Sequence, residues 1–167
     1  YPNLLITRTF SKAFSGAGIR LGYLLGTPSL ITQINKVKLP YNLNFFAEHI
    51  ARVLLRHRDR LRDRIEELKV SREELVSRCR AMPFEQVYAS EANFFVVRTP
   101  QKERLFDALV ADGILVRDVS SYPLLDDCLR INAGTPDENR RLCESLSAFF
   151  TTCSQRAPSA PEEDDET

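Results

Sequence analysis

Apolar residues recur along this chain with two periods, and each period predicts its own kind of element. Leu4 to Thr9 opens on the apolar run Leu4-Leu5-Ile6 and reads as a short buried strand. Ser15-Gly16-Ala17-Gly18 reads as a turn, and Ile19 to Leu25 as a returning strand closed by Gly26-Thr27-Pro28. Ser29 can cap a helix that runs to about Leu39, where Pro40 stops it. Asn44 can cap a long second helix. Along it Leu54, Leu61, Ile65, Leu68 and Leu75 follow at steps of seven, four, three and seven, which is one helical stripe.

The second half alternates faster. Ala92 to Arg98, with Phe94-Phe95-Val96-Val97 at its centre, reads as a central strand, followed by a helix from Gln101 to Asp112. Gly113 supplies that helix with a left-handed end. Ile114 to Arg117 and Cys128 to Asn132 read as two more strands. Thr135, Pro136 and Glu138 form a helix start, with Thr135 as cap and Glu138 completing a capping box; the helix then runs to about Phe150. From Ser154 the chain reads as a disordered acidic tail. Helices and strands alternate, so the predicted class is α/β or α+β. The chain opens on a strand with almost nothing before it, which predicts a segment of a longer protein.

Composition excludes more than it suggests. Hydrophobic residues are 43% and charged residues 28%, an ordinary globular balance. Lys plus Arg and Asp plus Glu are 23 each, so net charge points to no nucleic-acid or membrane partner. No apolar run approaches bilayer length, and Tyr1-Pro2-Asn3 lacks the basic start of a secretory signal. Cys79, Cys128, Cys143 and Cys153 have no zinc-like spacing, and the only histidines are His49 and His57. No metal site is expected, and free thiols in a cytoplasmic protein are. Arginines crowd the stretch from Arg52 to Arg64, but acidic residues interleave with them and Arg62 and Glu66 stand at helical pair spacing. A solvated, ion-paired helix face is the expectation there.

Candidate chemistry gathers in Thr9-Phe10-Ser11-Lys12-Ala13-Phe14 and Gly18-Ile19-Arg20-Leu21-Gly22-Tyr23. Lys12 follows a strand and precedes a glycine-rich turn, the kind of lip where sites on α/β folds gather. Thr9 and Ser11 flank it, and Arg20 returns eight residues later. A guanidinium fork with one or two hydroxyls suits a phosphate dianion. An amine beside a phosphate cradle suits pyridoxal 5'-phosphate, whose aldehyde condenses with lysine.

These two segments resemble the cofactor-lysine signature of the class I/II aminotransferases, which have the aspartate-aminotransferase fold. The resemblance implies that Lys12 carries the cofactor, that Arg20 and Thr9 bind its phosphate, and that Ser11 is a further contact. Ser90 to Phe94, Gly113 to Asp118, Ser120 to Pro123 and Cys128 to Thr135 resemble the histidinol-phosphate aminotransferases within that family. That implies a role for Arg130, assisted by Arg117, on the substrate's anionic group. It implies histidinol phosphate and glutamate or 2-oxoglutarate as substrates, transamination in histidine biosynthesis, and a homodimer. Residues 1–48 would end the large cofactor-binding domain, 49–152 would form the small α+β domain, and 153–167 the acidic tail. The family's upstream half, with its ring-stacking and pyridine-nitrogen partners, has no counterpart in this sequence. Two alternatives follow: a threonine-phosphate decarboxylase-like enzyme with the same lysine signature, or an inactive truncated fragment.

Overall fold

Two glycines let the first strand fold back on itself. In the computed structural model, which describes residues 1–155, β1 (Leu5–Thr9) and β2 (Gly22–Gly26) pair antiparallel with Thr9 opposite Gly22. A Cβ on Gly22 would stand 2.7 Å from the Arg8 carbonyl oxygen, and one on Gly16 2.9 Å from that of Phe10. Neither position has room for a side chain. Ala17–Ile19, the last of which was expected to begin the returning strand, forms a single tight helical turn instead. The expectation that Leu4 to Thr9 is buried is corrected: every residue of β1 is exposed, and so are Tyr23 and Leu25 on β2. Apolar side chains are buried only where another element packs on them, and the described residues bury none of β1.

Helix α1 (Pro28–Val37) starts two positions earlier than expected, with Thr27 as its cap rather than Ser29 and Pro28 in the first turn. Asn44 caps α2 (Phe45–Arg56), its Oδ1 accepting from the Ala47 amide at 2.8 Å. The single long helix expected after Asn44 is two. The chain leaves helical geometry at His57 (φ −102°, ψ 26°) and resumes as α3 (Arg58–Arg80). Neither proline nor glycine marks the break. Two compact units divide within α3, Tyr1–Glu67 and Leu68–Thr167.

The second unit is built on an antiparallel sheet in the order β3-β4-β6-β5. Its strands are β3 (Gln86–Val87), β4 (Phe94–Arg98), β5 (Arg117–Asp118) and β6 (Cys128–Asn132). Period-two alternation sends Phe95, Val97, Leu129 and Ile131 to one face, where all four are buried. There they meet Leu75 and Cys79 of α3, Leu105 and Leu109 of α4 (Lys102–Ala111), and Leu142 and Leu146 of α5 (Pro136–Gln155). The other face carries Phe94, Val96, Arg98, Arg130 and Asn132.

The strand expected over Ile114 to Arg117 shrinks to Arg117–Asp118. The Ile114 amide is already taken by the Leu109 carbonyl at 2.8 Å, in the helix end that Gly113 makes at φ 73°. Ile114 and Val116 pack on the core without joining the ladder. The capping box forms as expected: Glu138 accepts from the Thr135 amide at 2.7 Å, and the Glu138 amide donates to Thr135 Oγ1 at 3.3 Å. Helix α5 continues past Phe150 to Gln155, its Thr151, Thr152 and Ser154 hydroxyls donating to carbonyls four residues back. The remainder of the expected acidic tail, residues 156–167, lies outside the described residues. Among the described residues no helix is long and apolar enough to cross a membrane.

Candidate functional site

The loop that joins β1 to β2 is closed by its own backbone. The Phe10 amide donates to the Leu21 carbonyl at 3.0 Å, and the Gly16 amide donates to the Phe10 carbonyl at 2.8 Å. Phe10 is buried against Phe14, ring centroids 4.6 Å apart, with Tyr23 at 6.1 Å. This aromatic plug holds Thr9, Ser11, Lys12 and Arg20 on one short loop. Lys12 sits at the head of a turn closed by the Ser15 amide on the Lys12 carbonyl at 2.8 Å, and it is exposed.

The hydroxyl and the guanidinium are each fixed by a local bond. Thr9 Oγ1 accepts from the Ser11 amide at 3.0 Å, which leaves its own proton to donate elsewhere. Arg20 Nη1 donates to the Ala17 carbonyl at 2.8 Å, one of the five donors a guanidinium carries. Arg20 holds a left-handed backbone (φ 54°, ψ 44°), and Ser15 is also left-handed at φ 51°. Non-glycine residues occupy that region at a cost, and they do so chiefly where surrounding structure fixes them.

The second unit brings the other two candidate residues together. Arg117 of β5 stands directly opposite Arg130 of β6, so both side chains lie on the sheet face away from the helices. Arg130 is half-buried, with its guanidinium carbon 4.8 Å from the centroid of the Phe94 ring. Its Nε is buried and has no hydrogen-bond partner among the described residues. A buried unpaired donor is costly, and like charges directly opposite on a sheet are unfavourable. An anion set between Arg117 and Arg130 would relieve both costs.

Sequence reading missed three parts of this region. Phe94 as the ring beneath Arg130 follows only once the β4–β6 register is known. Arg98 lies on the same face and donates to the Leu124 carbonyl at 2.9 Å. Lys102, Asp118 and Ser120 form a tight polar cluster on the opposite face. The Asp118-x-Ser120 spacing was the available signal for that cluster, since Asp side chains commonly bond the amide two residues on.

The sequence model of the family described as aminotransferase class I and II matches residues 1–146. This chain belongs to that family. The histidinol-phosphate aminotransferase of Chromobacterium violaceum is 43% identical to this class I and II member over 149 residues, covering 89% of this chain and 42% of the relative. The crystal structure of the histidinol-phosphate aminotransferase from Clostridium acetobutylicum superposes with a TM-score of 0.82 at 25% identity, covering 91% of this chain and 47% of that one. The Sinorhizobium meliloti histidinol-phosphate aminotransferase, solved in complex with pyridoxal-5'-phosphate, gives a TM-score of 0.78 at 25% identity, over 91% of this chain and 42% of that one. The aminotransferase fold expected from the sequence is therefore the fold observed. The chain spans less than half the length of the relatives it matches.

Proposed function

We propose that the complete protein carrying this chain transfers an amino group between histidinol phosphate and 2-oxoglutarate, with glutamate as the returning donor, in histidine biosynthesis. Pyridoxal phosphate fits the donor set of the β1–β2 loop. The hairpin supplies an amine, a hydroxyl whose proton is left to donate, and a locally anchored guanidinium, the groups that an aldehyde with a phosphate requires. When bound, the cofactor supplies an electron-withdrawing ring that stabilises negative charge at the substrate carbon. Lys12 Nζ holds the cofactor, and after release it carries the proton taken from the substrate carbon. Thr9, Ser11 and Arg20 hold the cofactor phosphate. Arg130, with Arg117 beside it, binds the substrate's phosphate or carboxylate through a rigid two-donor fork.

The observation that supports this reading is the backbone-closed loop that follows Thr9 and carries both Lys12 and Arg20. The 43% identity to a histidinol-phosphate aminotransferase favours transamination over decarboxylation. On this reading residues 1–48 end the large domain and 49–152 belong to the small one, and the complete enzyme is a cytoplasmic homodimer. The packing division at Glu67 answers a different question, namely which residues bury one another. The test is a product assay on the complete protein with pyridoxal phosphate. Glutamate formed from histidinol phosphate and 2-oxoglutarate, with added phosphothreonine left undecarboxylated, is the expected result. Carbon dioxide released from phosphothreonine without glutamate would replace this reading with the decarboxylase one.

A further inference from the structure

Strand β5 has a task that its own ladder is too short to perform. It is two residues long, lies at the sheet edge, pairs Arg117 with Arg130 and Asp118 with Leu129, and is continued by one bond from the amide of buried Val119 to the Cys128 carbonyl at 3.3 Å. The first of those pairs sets two arginines, and so two like charges, directly opposite across the ladder, which is unfavourable. Something must hold β5 against that repulsion.

The residues that do so are on the other face. Successive strand residues point to opposite faces, and Asp118 stands opposite Leu129, which is buried in the core on the helix side. Asp118 therefore faces α4 while Arg117 faces away from it. Its carboxylate accepts from Lys102 Nζ at 2.9 Å, from the Ser120 amide at 2.8 Å and from Ser120 Oγ at 2.6 Å. Lys102 Nζ also reaches Ser120 Oγ at 3.2 Å, and its side chain is only 12% exposed. These bonds hold the Asp118 carboxyl well below the ordinary carboxylate range, at about 2, through Ser120 first and Lys102 second. Lys102 is the first residue of α4, so the cluster ties β5 to the helix layer.

We infer that Lys102, Asp118 and Ser120 are positioning residues for the anion site, holding Arg117 beside Arg130 so that the site favours a doubly charged phosphate over a singly charged carboxylate. The inference rests on the proposed role of Arg117 and Arg130. A phosphate dianion needs both forks, whereas a carboxylate is satisfied by Arg130 alone. Slackening β5 therefore removes phosphate affinity and leaves carboxylate affinity nearly intact. A purely structural role for the cluster would lower stability without changing that preference.

The test is a pair of NMR titrations of the full 167-residue chain, with inorganic phosphate and with acetate, reading the Nε–Hε signals of Arg117 and Arg130. In the unsubstituted chain phosphate should shift both signals. Lys102→Met and Asp118→Asn should weaken phosphate binding about tenfold, equivalent to about 1.4 kcal/mol, with acetate changed much less. Lys102→Arg, which keeps the charge and the donor, should restore most of the phosphate affinity. Backbone signals of β4 and β6 report whether each variant is folded. Where Lys102→Met does not fold, Ser120→Ala carries the test, with a smaller loss of phosphate affinity expected. Phosphate affinity unchanged in the folded variants, or lost equally with acetate affinity, overturns the inference alone. No response of Arg117 and Arg130 to either anion in the unsubstituted chain overturns the anion-site reading and this inference with it.

Discussion

At the scale of single residues, Arg20 is anchored to the Ala17 carbonyl at 2.8 Å, and its guanidinium is the phosphate-binding fork of the proposed site. Thr9, Ser11, Lys12 and Arg20 lie within twelve positions of one another, and one hairpin closes them into one loop. Their grouping could be read from spacing and chemistry alone. Arg117 and Arg130 were singled out separately, but their direct opposition depends on the β5–β6 register, which no local pattern encodes. Arg20 offers the first prediction. Arg20→Ala should weaken pyridoxal phosphate binding to the complete protein by about 1.5–3 kcal/mol, the range for hydrogen bonds to charged groups. Arg20→Lys should restore only part of it, since the fork is lost. Equilibrium dialysis checks both, and unchanged affinity would make Arg20 a strut for the Ala17 carbonyl only.

Cys79 offers a second residue-scale prediction. Burial, then the neighbouring Cys143, pushes its thiol from 9.0 up to about 12. A group whose folded value is raised stabilises fully below its unfolded value and loses that contribution as pH rises through the folded one. Stability should therefore decline between about pH 9 and pH 12, and Cys79→Ala, though less stable throughout, should show a flatter decline. In the native protein at neutral pH, Cys153 should react first with a thiol reagent, because Cys79, Cys128 and Cys143 are buried. Denaturation curves against pH and mass spectrometry of the labelled protein test the two statements.

At the scale of elements, long periodic segments and capped helices were readable. Asn44, Gly113 and the Thr135–Glu138 box each do what their chemistry predicts. The errors fall where two uses compete for the same backbone group or where an element is too short to carry a period. Ile114 donates to the end of α4 instead of to a sheet partner, so the expected strand shortens. A two-residue strand such as β3 has no pattern to read. The core of the second unit follows the alternation of β4 and β6, and it makes a quantitative prediction. Leu146 is fully buried among α3, α4 and the sheet. Leu146→Ala should cost about 2–5 kcal/mol, the range for a large-to-small change in a packed core. Leu115, 84% exposed, should tolerate the same change within about 0.5 kcal/mol. Urea denaturation of both variants gives the comparison.

At the scale of the whole molecule, the two units differ in how much they bury. The second has a continuous core from three helices and a sheet. The first buries Phe10, Ala47 and Ala51 but leaves Leu25, Val37, Leu39, Phe45 and Phe46 exposed. Apolar surface on that scale is the mark of a face that packs against something else. The relatives it matches are more than twice as long, with this chain covering 42% of the Chromobacterium violaceum enzyme. The family was legible because its signature is local, within Thr9 to Tyr23. On the proposed reading, Lys12 is the residue that holds the cofactor. Borohydride reduction of the complete protein loaded with pyridoxal phosphate, followed by peptide mass mapping, tests it most directly. The cofactor mass should be found on the peptide containing Lys12, and Lys12→Ala should abolish both the trapping and glutamate formation. Cofactor trapped on another lysine, or turnover unchanged in Lys12→Ala, would contradict it.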